Sequence, residues 1–183
     1  MEKAAEAAIT LYLYMADRNS RDATAVLEFN AGEFAPGAAQ KDPAISVRQL
    51  SRDEVDTSCP RHGLVQSLTD QSADRVRREG NYWGAAAYGT NVHTAIRNEI
   101  RAIDDPSFRA EVSAIKSNEE DYGAPGSVRV DVLENVGNGT VCVYDIKTGK
   151  SNLSAARMRE IANNVHSFYV GTTRILVIET RPK

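Results

Sequence analysis

Apolar positions change period several times along this chain, and each change marks an element. Residues 1 to about 28, rich in Ala, Leu and Glu, have helical character, and the Gly/Pro/Ala stretch 30–43 resembles a linker. Ser51-Arg52-Asp53-Glu54 has capping-box spacing, and apolar residues at 64, 65, 68, 73 and 76 predict a helix that Gly80 ends. From Gly89 onward the pattern sharpens. Val92, Ile96, Ile100 and Ile103 form one helical stripe, stopped by Asp105-Pro106. A strand is predicted near 110–116, and then Val128, Val130 and Val132 alternate with Arg129, Asp131 and Leu133. The Asn-Gly pair within 135–139 marks a hairpin leading into a strand over 140–147. Ser154 can cap a helix with apolar positions 158, 161, 162, 165 and 168, and residues 174–179 close as a buried strand.

The order helix, three strands, helix, strand predicts an α/β core with a mixed sheet, because a helix joining the last two strands implies a right-handed parallel crossover. The linker-like stretch separates an N-terminal helical segment, 1–43, from a domain over 44–183. No internal repeat or low-complexity tract interrupts this organisation.

The composition, 183 residues with 42% hydrophobic and 26% charged, fits one globular domain with an appended segment. No run approaches the length of a membrane span, and the first residues lack the order of a secretory signal, so a soluble chain without a cleaved leader is expected. Cys59 and Cys142 lie far apart, Cys142 in a run that looks like a buried strand, and no disulfide framework is expected. Cys59 and His62 lack the second Cys/His pair that a structural zinc normally takes, so they read as an ordinary loop. The net charge of −3 hides an asymmetry, since residues 147–183 carry seven Lys/Arg against two Asp/Glu. A basic end suits a polyanion, and a solvated helix face explains the same charges.

Alternate residues of a strand share a face, so Asp145 and Lys147 point the same way, and Asp131 shares a face with Arg129. If the hairpin pairs these strands in matching register, Asp131, Asp145 and Lys147 converge. Two carboxylates held together repel unless a cation lies between them, and hard oxygen donors select magnesium or manganese. Such a metal polarises a phosphoryl oxygen and activates water, while a lysine offsets charge on the phosphate. Acid and lysine pairs on strands also serve merely to solubilise a sheet face. Here the pair ends an apolar run, Val141-Cys142-Val143-Tyr144, where burial makes charges costly without a partner.

Arg129-Val130-Asp131 and Val143-Tyr144-Asp145-Ile146-Lys147-Thr148-Gly149 resemble the motifs of the PD-(D/E)XK nuclease superfamily, especially its RecB-type branch. Gly89-Thr90-Asn91-Val92-His93 is similar to that branch's Gly-x-x-x-His helix motif. The resemblance covers about 89–180 and implies a restriction-endonuclease-like core with an N-terminal helical extension. It implies Asp131, Asp145 and the Ile146 carbonyl as ligands of Mg²⁺ (or Mn²⁺), and Lys147 as the catalytic lysine. It favours His93 as a further ligand, whereas many enzymes of the superfamily use a helix glutamate, a pattern Glu99 would fit. The usual Gln-x-x-x-Tyr pair of the RecB branch is missing from the next helix, which offers Arg157, Arg159, Asn163 and Asn164.

Arg129, Lys150, Arg157 and Arg159 are the candidate contacts to a nucleic-acid backbone. The function expected is that of a DNA endonuclease, with an RNase on the same metal site and a catalytically silent binding module as alternatives. Small size and a linker-like front are similar to toxin and effector nuclease domains of bacteria. That likeness implies delivery within a longer protein to a target cell's cytoplasm, and an immunity protein as partner.

Overall fold

The computed structural model describes residues 2–20, 22–30, 32, 44–114, 128–149, 153–169 and 171–183. Five helices and six strands are formed by these residues. In chain order they are α1 (Glu2–Ala16), β1 (Ala23–Phe29), β2 (Ile45–Ser51), α2 (Arg52–Ser58), α3 (His62–Glu79), α4 (Gly84–Ile103), β3 (Phe108–Ala114), β4 (Val128–Gly137), β5 (Thr140–Ile146), α5 (Ala155–Phe168) and β6 (Arg174–Thr180). The strands make one mixed sheet in the order β2-β1-β6-β5-β4-β3. β5 and β6 are parallel, joined through α5 as the pattern predicted, and the other neighbours are antiparallel. The fold is therefore α/β.

The helical expectation for residues up to about 28 holds only to Ala16. Ala23–Phe29 is instead a strand, with Ala25, Leu27 and Phe29 in one core and Val26 in the other. Burial on both faces outweighs the modest helix preference of Ala, Leu and Glu. The segment expected to stand apart from the rest thus supplies a strand between β2 and β6. Most of the linker stretch, 31 and 33–43, lies outside the described residues, as does the end of the strand expected near 110–116.

Local signals account for most boundaries. The capping box forms at Ser51, whose side chain accepts from Glu54 N–H while the Glu54 carboxylate accepts from Ser51 N–H. α3 ends on Gly80 at φ 65°, in the left-handed region. The Ser154 hydroxyl accepts from Arg157 N–H at 3.2 Å at the start of α5.

Two cores result, one on each face of the sheet. Ile9 and Tyr12 of α1 meet Met158, Ile161 and Val165 of α5 over Leu27, Val143 and Val177. On the other side Val65 and Val76 of α3 and Val92, Ile96 and Ile100 of α4 cover Val132, Tyr144 and Ile178. Among the described residues no helix is long and apolar enough to cross a membrane.

The β4–β5 hairpin turns through Asn138 (φ 49°) and Gly139 (φ 71°), both in the region a type I′ turn requires. A Cβ on Gly139 would lie 2.8 Å from Thr173 Oγ1 and 3.2 Å from the Gly171 carbonyl oxygen. Gly139→Ala is therefore expected to lower unfolding free energy by about 2 kcal/mol in urea melts, adding left-handed strain to a backbone clash. No loss would show that the β5–α5–β6 end relaxes freely.

Two expectations are corrected here. Cys59 and Cys142 are joined in a disulfide, which ties the α2–α3 corner to β5 across 83 residues of chain. Sequence distance hid the pairing, since the two cysteines meet only when α2 and α3 pack on the sheet. The regular alternation in β4 also breaks. Ala110 pairs with Val132 and Val112 with Val130, yet the first pair packs under α3 and α4 and the second under α1 and α5. Glu111, with φ 50°, marks the point of the change.

Candidate functional site

The irregularity places Asp131 where β4 parts from β5. The ladder runs as far as Val132 opposite Tyr144, so Asp131 and Asp145 come next in register on adjoining strands. Instead of a backbone carbonyl, Asp131 Oδ2 accepts from Ile146 N–H at 2.9 Å. The Asp131 carboxylate thus satisfies a backbone N–H at the point where the β4–β5 ladder ends. On β5, Lys147 Nζ lies 2.9 Å from Asp145 Oδ2, and the Lys147 N–H donates to the Thr180 carbonyl at 2.9 Å. From α4, His93 Nδ1 approaches Asp131 Oδ1 at 3.4 Å. Gly89 is pressed against the Thr148 side chain, where a Cβ would come within 2.7 Å of Oγ1. The two sequence motifs thus meet in space.

Electrostatics separates the two acids. Burial pushes the Asp145 carboxyl up, and the neighbouring Asp131 adds to this against the pull of Lys147 and Arg157. Burial also acts on Asp131, but the hydrogen bond and charge of His93, with the Ile146 N–H and Arg157, outweigh it and hold that carboxyl below its usual range. Arg157, a quarter exposed and 3.7 Å from Glu160, therefore contributes charge to both acids.

The other candidates divide. Glu99 is half-exposed and pairs with Arg75 of α3 at 3.1 Å, lining a groove with Leu68, Gln71 and Arg78 rather than meeting Asp131. Arg129 lies on β4 and Arg159 on α5, but their side chains, and Lys150 as a whole, are outside the described residues.

Comparison of the chain with protein-family models, curated proteins and solved structures found no match.

Sequence reasoning missed two neighbours of the acids. Glu179 of β6 stands beside Asp145 in the parallel register, and its side chain is 3% exposed. Its Oε1 accepts from Arg181 at 2.6 Å, while Oε2 is buried with no hydrogen-bond partner. Burial raises this carboxyl, with Asp145 adding to the effect. Tyr12, fully buried on α1, receives the Glu179 N–H at its hydroxyl oxygen at 2.7 Å. A signal for Glu179 was present, because it ends the apolar run 175–178 just as Asp145 ends 141–144. Nothing local pointed to Tyr12.

The two carboxylates, Asp131 and Asp145, are hard oxygen donors of the kind a small hard cation takes. Among the described residues no three Asp, Glu, His or Cys side chains are gathered about a common ion position. Two carboxylates are nevertheless what magnesium commonly takes from a protein, the remaining positions going to water and phosphate.

Proposed function

We propose that this chain is a metal-dependent nuclease that hydrolyses phosphodiester bonds in DNA. One observation carries the reading: Asp131 and Asp145 stand next in register where the β4–β5 ladder ends, with Lys147 paired to Asp145 and His93 beside Asp131. The succession α4–β3–β4–β5–α5–β6 supports it further, since this is the order of the PD-(D/E)XK core that the motifs resemble.

Asp131 and Asp145, with the Ile146 carbonyl, would hold magnesium or manganese, which would supply polarisation of a phosphoryl oxygen and a more acidic bound water. Lys147 would orient that water and offset the charge that develops on the phosphate. Asp145, the acid with the raised carboxyl, sits within reach of the Lys147 ammonium and keeps it aimed. His93 and the Ile146 N–H fix the Asp131 carboxylate in one orientation. Arg157 adds positive charge that suits the phosphodiester backbone. The Cys59–Cys142 disulfide favours passage through an oxidising compartment, which suits the effector reading.

The test is plasmid cleavage in Mg²⁺ and Mn²⁺ against EDTA, with total RNA digested alongside. Cleavage of plasmid that EDTA abolishes is the expected result. In the same assay His93→Ala should lose about ten-fold or more, whereas Glu99→Gln should cut at near the normal rate, because outer partners of a metal site are costly to remove. Digestion of RNA alone would replace DNA as the substrate, and cleavage that ignores EDTA would remove the metal from the mechanism.

A further inference from the structure

The ladder between β5 and β6 ends with Ile146 opposite Thr180, and one backbone bond continues it, from Lys147 N–H to the Thr180 carbonyl at 2.9 Å. Beyond that bond the two chains leave the sheet, β5 into Lys147-Thr148-Gly149 and β6 into Arg181-Pro182-Lys183. A lysine that aims its ammonium from such a place needs its turn held from outside the ladder, because small misplacements of a reacting group cost much of the rate.

Two contacts hold the turn. On the α4 side Gly89 is pressed against Thr148. On the β6 side Arg181 spans two acceptors, donating from Nε to Glu179 Oε1 at 2.6 Å and from a terminal guanidinium nitrogen to the Gly149 carbonyl at 2.7 Å. A Cβ on Gly149 would meet nothing within 4 Å. This end of the turn is therefore fixed by a hydrogen bond and not by packing.

Arg181 is braced in its turn. Its charged partner Glu179, two residues earlier, has a side chain 3% exposed, and a carboxylate buried so deeply is costly without a cation. The Arg181 carbonyl accepts from the Gln66 side chain of α3 at 2.9 Å. The same amide donates to Asp70, which also accepts from Lys183 N–H. Backbone and guanidinium are thus both anchored before the guanidinium reaches Gly149. Arginine suits the task because its donors leave from separate nitrogens of a rigid fork.

We propose that Arg181 is a positioning residue for Lys147, tying the Gly149 carbonyl to the buried Glu179 carboxylate and so fixing the turn that carries the lysine. The tie stands on its own geometry, whereas its purpose in cutting DNA rests on the nuclease reading. Arg181 acts through Lys147 and not on the substrate, so its loss lowers kcat and leaves KM alone.

Hydrogen exchange of the full chain in EDTA, read by mass spectrometry, compares wild type with Arg181→Ala and Arg181→Lys. Peptides covering 146–150 should exchange about ten-fold faster in Arg181→Ala, while those of α4 and α5 keep their protection. Arg181→Lys keeps a charge beside Glu179 and should melt near the wild type, yet still open the turn, because one nitrogen does not span both acceptors. Initial rates over a range of plasmid concentrations in Mg²⁺ should show kcat about ten-fold lower in both variants, with KM within about two-fold. Exchange over 146–150 as slow in both variants as in wild type would overturn the tie. So would protection lost across the whole sheet in both, which would make Arg181 a general support of the fold. A turn that opens without loss of kcat, or a loss confined to KM, would overturn the positioning role while a wild type that cuts plasmid keeps the nuclease reading. A wild type that cuts nothing would refute the nuclease reading, and the positioning role with it, and the exchange comparison would still decide the tie.

Discussion

Asp145→Asn is expected to cut DNA about a thousand-fold or more slowly than the wild type, yet to melt at no lower a temperature when metal is withheld. The two halves have one cause. Burial, with Asp131 nearby, raises the Asp145 carboxyl, so the fold binds its proton more tightly than the unfolded chain does. Its contribution to stability is complete below the unfolded value and is lost as pH rises through the folded one. At neutral pH the ionised form therefore works against the fold, and asparagine removes that penalty at almost unchanged volume. Asp131 has the opposite sign. Its carboxyl is held low, so its contribution is present above the unfolded value and fades as pH falls through the folded one. Asp131→Ala also leaves the Ile146 N–H without its acceptor, and should cost about 2 kcal/mol as well as the activity. Thermal melts with and without Mn²⁺ check both. Wild type should be stabilised by the ion and Asp145→Asn should not, since only a site that binds the native state raises its melting temperature. Equal stabilisation of the two proteins would take Asp145 out of the metal site.

Reduction of the Cys59–Cys142 disulfide is expected to produce the largest stability loss of any single chemical change. Closing a loop of 83 residues restrains the unfolded chain by about 4 kcal/mol in the chain-entropy account, or about 10 °C of melting temperature at this size. The native corner has other ties. Glu134 accepts from Arg61 N–H at 3.0 Å and from the Tyr144 hydroxyl at 2.5 Å, and the His62 ring stacks with Tyr144 at 6.3 Å. The reduced protein should therefore keep its fold at room temperature, and the loss should appear as an earlier calorimetric transition. A melt unchanged by reductant would mean that the two thiols are not joined in solution. The same result would withdraw the support the disulfide lends to passage through an oxidising compartment.

Local patterning determined much of this protein. Helical stripes, the Ser51 and Ser154 caps, Gly80 and the Asn138-Gly139 turn each depend on residues within a few positions of one another, which is why α3, α4, α5 and the β4–β5 hairpin were legible from spacing. Asp145 and Lys147 were legible for the same reason, being two apart on one strand. Tertiary structure decided what depends on register and packing. Only strand pairing sets Asp131 against Ile146 N–H and Glu179 beside Asp145, and only the docking of α1 brings Tyr12 to Glu179. The packing of α3 on α4 gives Glu99 an arginine partner, while His93 lies against Asp131. β1 became a strand because it is covered on both faces, and Cys59 met Cys142 because two helices close over the sheet. Such contacts join residues far apart in the chain, so their free energy depends on the whole fold and leaves no periodic trace in the sequence.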